Sequence, residues 1–437
     1  MAFRFHNASE GFQSSLQLFQ VPPVETGTEK IEFIEYRPVG QLSRGSPIEF
    51  NISGAGQDYI SLKDTRLYIK ARILKESGAD FVPVTDLESV AFVNLPLQSI
   101  WRNVEVTLQQ QVISPDVSTS YAYKAICNVL LANDIGAKQT QLQSQLYYKD
   151  SAGYMDETDV ESGANIGLTQ RWSHTKDGHA VCMEGPIYCD ILQQDRLLLN
   201  GVEVGIKFHP ASARFALMSN SELTNYHIDI VDAVLKVCKV KTSSGILVGH
   251  DIMLQKQPAI YPFMRSEIKT FSIAAGLYNF SCDDLFLSRV PSQMLVMLTS
   301  AEGFSGSYKR NPFNFSNYNL NYLCFEVDGN PIPHAALQPN YDNGNYVSSF
   351  LSLFTGNDKY GKDEGIMISR QDFPLGYTMY LLDIDGKRST DYVNLVKHGH
   401  TRLSIRFAQS LPEPVTVIVY AKFPTTLQID KSRRVII

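Results

Sequence analysis

The sequence is poor in features that announce chemistry. Its six cysteines (Cys127, Cys182, Cys189, Cys238, Cys282 and Cys324) are scattered, and no two have the short spacing of a zinc knuckle or a redox pair. Free, buried thiols in a reducing compartment are expected instead. No run approaches the ~18 uninterrupted apolar residues of a membrane helix. The N-terminal MAFRFHNASEGFQSSLQLFQVPP interrupts each apolar cluster with polar residues, so no signal peptide is read there and a soluble chain made in the cytosol is expected. Basic charge is also short: 39 Lys and Arg against 45 Asp and Glu leave a net charge of -6, which lacks the field that draws a protein onto nucleic acid. Neither a G-x-x-x-x-G-K-S/T phosphate loop nor a G-x-G-x-x-G behind a strand occurs, so no nucleotide and no cofactor is expected.

What is present points to sheet. Apolar residues make up 44% of the 437, with 22 Tyr and 23 Phe, and charged residues only 19%, far from the composition of disorder. RLYIKARI places Leu67, Ile69, Ala71 and Ile73 on one face and Arg66, Tyr68, Lys70 and Arg72 on the other, the period of a half-buried antiparallel strand. NVEVTLQQ repeats it with Val104, Val106 and Leu108, and TRLSIRF with Leu403, Ile405 and Phe407 inward. VTVIVYAKF follows TRLSIRF after Pro412-Glu413-Pro414, and the two read as a closing pair of strands. Asn200-Gly201, Asp328-Gly329, Asn343-Gly344 and Asp385-Gly386 supply the turns, because these residue types tolerate positive φ.

One segment departs from this pattern. Tyr121, Ala125, Ile126, Val129 and Leu130 fall at helical spacing within 118–146, with Ser118 or Thr119 as the cap. The polar, glycine-spaced stretch 150–178 reads as a long surface excursion. VEVGIKF followed by HIDIVDAVLKVCKV matches in layout LSIRF followed by VTVIVYAKF, which suggests two similar domains joined by TSSGILVGHD. The chain length also favours two cores over one. The boundaries expected are an N-terminal arm and lead-in over 1–46, a first domain over 47–245, a second over 246–424 and a C-terminal arm over 425–437.

Each candidate for chemistry has a plainer reading. Asp195-Arg196 could form a charged dyad, but neighbours on a strand point to opposite faces, so an ion pair or turn is favoured. GFSGS (303–307) fails the spacing of a nucleophile elbow. His398 and His400 share a strand face without a third ligand in motif range, and DIDG (383–386) lacks the later acids of a calcium loop. No catalytic residue and no metal site is assigned. The terminal segments hold the remaining signal: Phe3, Phe5, Phe12, Leu16, Leu18 and Phe19 at one end and Arg433 and Arg434 at the other lack a core of their own, and docking on a neighbouring subunit is expected.

With two all-β halves and apolar arms the chain reads as a building block. The runs DILQQDRLLLNGVEVGIKF, ARFALMS, IYPFMRSEIKTFSIAAG, GSYKRNPFNFSNYNLN, VDGNPIP and SRQDFPLGYTMYLLDID, spread over 47–385, resemble those of the hexon-like major capsid proteins of Polinton/Maverick elements and adintoviruses, including copies resident in animal genomes. That resemblance implies an all-β double jelly roll, two antiparallel eight-stranded β-sandwiches, with a helix inserted in the first. The second half offers no obvious counterpart to that helix. It further implies a homotrimer acting as a pseudo-hexagonal capsomer of an icosahedral capsid around a DNA genome. The partners would be the chain itself and penton and minor capsid proteins, with no sequence-specific nucleic acid contact. The place implied is the virion, with synthesis in the host cytoplasm and assembly there or in the nucleus. Two rivals from other classes are a carbohydrate-binding β-sandwich using Tyr318, Tyr322 and Tyr341 as stacking platforms, and a β-sandwich hydrolase, for which no nucleophile is found.

Overall fold

The computed structural model describes residues 13–16, 18, 19, 21, 24–85, 88–114, 121–333, 335–386 and 395–436. Eight strands make the jelly-roll frame of the first unit, beside the short strands Asp80–Pro83, Val90–Phe92 and Leu217–Ser219: β1 (Thr28–Tyr36), β2 (Ile48–Ile52), β3 (Tyr59–Ser77), β4 (Trp101–Leu108), β5 (Gln111–Val112), β6 (Val181–Pro186), β7 (Val204–Pro210) and β8 (Tyr226–Thr242). They pair antiparallel in the orders β1-β8-β3-β6 and β2-β7-β4-β5. The second unit comprises β9 (Ala259–Ile273), β10 (Asn279–Asp283), β11 (Gln293–Ser300), β12 (Leu320–Val327), β13 (Asn330–Pro331), β14 (Met379–Asp383), β15 (Thr401–Phe407) and β16 (Val415–Ile429). Its orders are β9-β16-β11-β14 and β10-β15-β12-β13, the first unit's pattern shifted by eight strands. In each unit the first and last strands are neighbours and the chain wraps from sheet to sheet, so each is a jelly roll and the protein is a double jelly roll.

Alternation explains the cores. Leu67, Ile69, Ala71 and Ile73 are at most 1% exposed, while Arg66 and Tyr68 on the opposite face reach solvent or half-burial. Leu403, Ile405 and Phe407 point inward from β15 as expected, with Arg402 and Arg406 exposed. VTVIVYAKF, by contrast, is buried on both faces. Val415, Val417, Val419, Ala421 and Phe423 fill the second sandwich, whereas Ile418, Tyr420, Leu427 and Ile429 join the larger core that includes the first. β11 divides likewise, Met294, Val296 and Leu298 inward and Leu295 and Met297 outward. A strand clamped between two layers needs no polar face, hence its continuous apolar run.

The four longest helices among the described residues occupy connections: α1 (Tyr121–Ala132), α2 (Ile166–Thr175), α3 (Ser244–Leu254) and α4 (Val347–Thr355). α1 lies between β5 and β6 and is buried at ten of its twelve positions, because it packs on its own sandwich and carries the second one. The cap expected at Ser118 or Thr119 lies outside the described residues.

Several sequence expectations are corrected. The lead-in over 1–46 contains β1, a full member of a sheet, so the first jelly roll starts before residue 47. The C-terminal arm begins inside β16, and Val435–Ile436 pairs back on Gln428 and Ile429. TRLSIRF and VTVIVYAKF are consecutive but lie in opposite sheets, since a jelly roll crosses over between its last two strands. The triple leucine over 197–199 makes one isolated bridge, Leu198 to Ile60. α4 is the counterpart of α1 that the second half seemed to lack, between β13 and β14 as α1 is between β5 and β6.

Candidate assembly surfaces

The candidate reactive groups resolve into scaffold. Asp195 pairs with Lys63 at 2.5 Å, while Arg196 turns away to donate to the Ile260 carbonyl at 2.6 Å. In GFSGS, Ser307 donates its hydroxyl to Glu302 at 2.7 Å and Ser305 ends a short helix. His398 Nδ1 sits 3.1 Å from the Ser288 carbonyl and His400 pairs with Asp284, so the two histidines serve different neighbours. The Gly386 N–H donates to Asp383 Oδ1 at 3.1 Å, closing DIDG as a local turn. Among the described residues, no three His, Cys, Asp or Glu side chains gather where a metal could bind. Cys127, Cys189, Cys238 and Cys324 are buried, but Cys182 is exposed and Cys282 half-exposed, so the expectation of buried thiols fits four of the six. Burial pushes the Cys127 thiol up to about 12.

The predicted turns are placed as follows. Gly201, Gly329 and Gly386 have φ of +79°, +79° and +62°, and Asp328 has +51°. Arg433, expected to reach a neighbour, instead donates to the carbonyl of Asn200 at 2.8 Å and to its Oδ1 at 3.1 Å. The tail thus folds back onto its own Asn200-Gly201 turn. Arg434 is held by its backbone on Asp430. Leu18 and Phe19 are 76% and 98% exposed, and Phe3, Phe5 and Phe12 lie outside the described residues.

The tyrosines proposed as sugar platforms are occupied. Tyr318 donates to Glu413 at 2.9 Å, and burial, reinforced by that carboxylate, raises its pKa. Tyr341 meets the Tyr380 hydroxyl at 2.7 Å and stacks on Tyr346, and Arg406 lies over Tyr322.

The excursion over 150–178 carries the seam between the sandwiches instead of running over the surface. Arg171 is fully buried: its Nη2 donates to Asp150 at 2.6 Å, its Nη1 to the Tyr148 carbonyl and its Nε to that of Phe92. Tyr377, from the second half, donates to the Asp150 carbonyl at 2.7 Å. Arg310 reaches Asp156 at 3.3 Å from across the seam and also Glu413 at 3.1 Å. No sequence motif marked these residues: Tyr377 meets the Asp150 carbonyl 227 residues away, Arg310 meets Glu413 103 residues away, and Arg171 reaches Phe92 across 79.

Elsewhere the seam is the outer face of β9-β16-β11-β14 laid on α1 and the turn Asp190–Gln193. Cys127 Sγ approaches Met297 Sδ at 3.4 Å, and Ser266 donates its N–H and hydroxyl to Asp190 at 2.8 and 2.9 Å. Lys124 completes that carboxylate at 2.6 Å. Among the described residues, the equivalent face of the first sandwich, β1-β8-β3-β6, has no such cover: Ile31 and Phe33 are 61% and 48% exposed there. α4, the equivalent of α1, keeps Val347 47% exposed.

The chain's beginning, linker and end converge at one end of the molecule. Thr28 pairs with Thr242 and Ala259 with Ile429, so β1 begins where β8 ends, β9 begins where β16 ends, and α3 spans the gap. We call this end the base. Beside α3 are two adjoining hollows of ≈ 290 and ≈ 460 Å³ that share Tyr59, Leu197, His250 and Tyr261.

No family model matches the chain. It is similar to the uncharacterized protein F54H12.2 of Caenorhabditis elegans, with 24% identity over 404 residues that span 90% of this chain and 93% of that one. Among solved structures it is similar to the Sputnik virophage, at 12% identity and a TM-score of 0.68 over 98% of this chain and 92% of the other. It is also similar to the PBCV-1 virus capsid, at 12% identity and TM-score 0.58 over 94% and 97%. A third is the mavirus major capsid protein, at 10% identity and TM-score 0.50 over 100% and 96%. What is shared at these identities is the double jelly-roll fold.

Proposed function

We propose that this chain is a hexon-like major capsid protein that forms homotrimers, and that these act as pseudo-hexagonal capsomers of an icosahedral shell enclosing a DNA genome. The observation that carries the reading is the head-to-tail seam. One sandwich offers a sheet face and the other a helix-bearing side, which leaves one face and one side of the same kinds open on every chain. A heterologous contact of that sort generates a ring when its rotation closes. Six sandwiches from three chains would then present alternating intrachain and interchain seams. The functional units of this reading are a first jelly roll of β1–β8, a second of β9–β16, and α3 as their linker.

The likeness in fold to the PBCV-1 capsid and the mavirus major capsid protein supports this assignment. The Polinton and adintovirus affinity rests on the sequence runs, and the nematode relative is in keeping with copies resident in animal genomes. Penton and minor capsid proteins are the further partners, the virion is the place of action, and no enzymatic activity is assigned. Light scattering on the purified chain tests the proposal together with negative-stain microscopy. Particles of three times the 49.0 kDa chain, with a six-cornered outline, are expected. A clean monomer that binds a glycan array would overturn it.

A further inference from the structure

The base holds apolar surface that none of the described residues covers. α3, SGILVGHDIML, buries only Leu254, leaving Val248, Ile252 and Met253 between 46% and 59% exposed. A helix with apolar residues all round is ordinarily buried. Its flank forms one wall of the two hollows, whose apolar lining includes Tyr59, Leu197, Leu199, Ile246, Met253 and Tyr261. The walls are firmly set: Tyr59 bonds His250 at 2.8 Å, and the Leu199 N–H donates to the Tyr261 hydroxyl at 3.0 Å. The structure therefore has a preformed apolar groove at the end where the chain begins.

The chain leading to this groove has the complementary problem. Glu25, Gly27 and Thr28 form part of the groove's edge, and ahead of them Leu16, Leu18, Phe19, Val21 and Val24 are 65–98% exposed. Among the described residues, nothing covers this stretch. Ahead of it come residues 1–12, MAFRFHNASEGF, with Phe3, Phe5 and Phe12. From Phe5 to Glu25 a fully extended chain reaches up to about 70 Å, enough to cross to an adjoining subunit.

We infer that the groove beside α3 receives the N-terminal segment of a second copy, with its phenylalanines as the anchors between Met253, Ile246 and Tyr261. Such an exchange buries the arm and the helix together, and it ties subunits at the base, away from the loops at the far end of the sandwiches. The inference rests on the capsid reading only in requiring that copies meet.

The test uses full-length chains in a Cys182→Ser, Cys282→Ser background, one tagged population carrying Phe5→Cys and a differently tagged one carrying Met253→Cys. On mixing and mild oxidation, disulfide-linked pairs containing both tags are expected, confirmed by peptide mass spectrometry. Leu223→Cys, 97% exposed in the loop before β8 and so at the opposite end, is expected to give at least tenfold fewer. A chain carrying both Phe5→Cys and Met253→Cys distinguishes the donor. Linkage mainly within one chain would show that the arm fills its own groove and would overturn the exchange. Trimers without any Phe5–Met253 linkage overturn this inference alone, whereas a monomer overturns the capsid reading with it.

Discussion

Gly201 shows how two features that sequence reading kept apart meet in space. Its φ of +79° lies in the region that costs a β-branched residue at least about 1 kcal/mol. A Cβ there would also lie 2.9 Å from Arg433 Nε, the group that binds the Asn200 carbonyl. Gly201→Val is therefore expected to lower stability by about 1–2 kcal/mol in urea unfolding and to release the C-terminal tail, whereas Gly201→Asn, which tolerates positive φ, meets Arg433 with the same Cβ but should lose less stability. Lys138 poses a different problem. Its ammonium is buried and donates to the carbonyls of Leu130 and Ile366 at 2.7 and 2.5 Å, and among the described residues no carboxylate forms an ion pair with it. Burial pulls its pKa from 10.5 down to about 7. Between these values the unfolded chain binds more proton than the folded one, so this group makes stability rise with pH across that window. Lys138→Met should flatten the pH dependence of urea midpoints between pH 7 and 10, by a slope of at most about 1.4 kcal/mol per pH unit. Equal slopes for the two proteins would place the charged form in the fold.

At the scale of elements, what could be read in advance was whatever has a local period. β3, β4 and β15 alternate cleanly because one face meets a core and the other meets water. β1 escaped because Ile31 and Phe33 face outward while Ile34 and Tyr36 are half-buried, so apolar residues fall on both faces and the alternation is lost. α4 escaped because nine residues amid asparagine and glycine give barely two turns of periodicity, and its order comes from the strand beneath it. The excursion over 150–178 looked solvated because Asp150, Asn165, Arg171 and Thr175 are buried in it beside Met155, Val160 and Leu168, and a charged pair such as Arg171–Asp150 reads as surface until its partners are known. α4 then carries a prediction of its own. Leu353 is fully buried where the helix crosses β14, and Ser352 accepts the Leu381 N–H at 3.4 Å. Leu353→Ala should cost about 2–5 kcal/mol in urea unfolding. A cost below about 0.5 kcal/mol would mean that α4 is an appendage and not a structural counterpart of α1.

For the whole molecule the question is which surface a second copy would take. The two sandwiches repeat one strand order but finish their outer faces differently. β9-β16-β11-β14 presents Leu295, Met297, Ile418 and Tyr420 and is covered within the chain, while β1-β8-β3-β6 presents Phe33 under the Arg66 guanidinium, 4.7 Å from the ring centroid. Around Phe33 the charges are balanced by pairs such as Lys236–Glu184 at 2.7 Å and Arg72–Asp229 at 2.8 Å. A face of that composition, aromatic and apolar at points and neutralised elsewhere, suits a contact that forms after folding and not one that drives it. Phe33→Glu tests this directly. The side chain is half-exposed in the single chain, so its replacement should leave unfolding within about 0.5 kcal/mol of the parent. In a trimer the new carboxylate would be desolvated beside an Arg66 that already serves Glu184 at 3.5 Å, and light scattering should report monomers at concentrations where the parent is expected to form trimers. Leu223→Glu, a substitution of the same chemistry at the far end of the first sandwich, should leave the oligomer intact. Were Phe33→Glu to trimerise as readily as the parent, the head-to-tail repetition of the internal seam would be wrong, whatever the fold's likeness to capsid proteins.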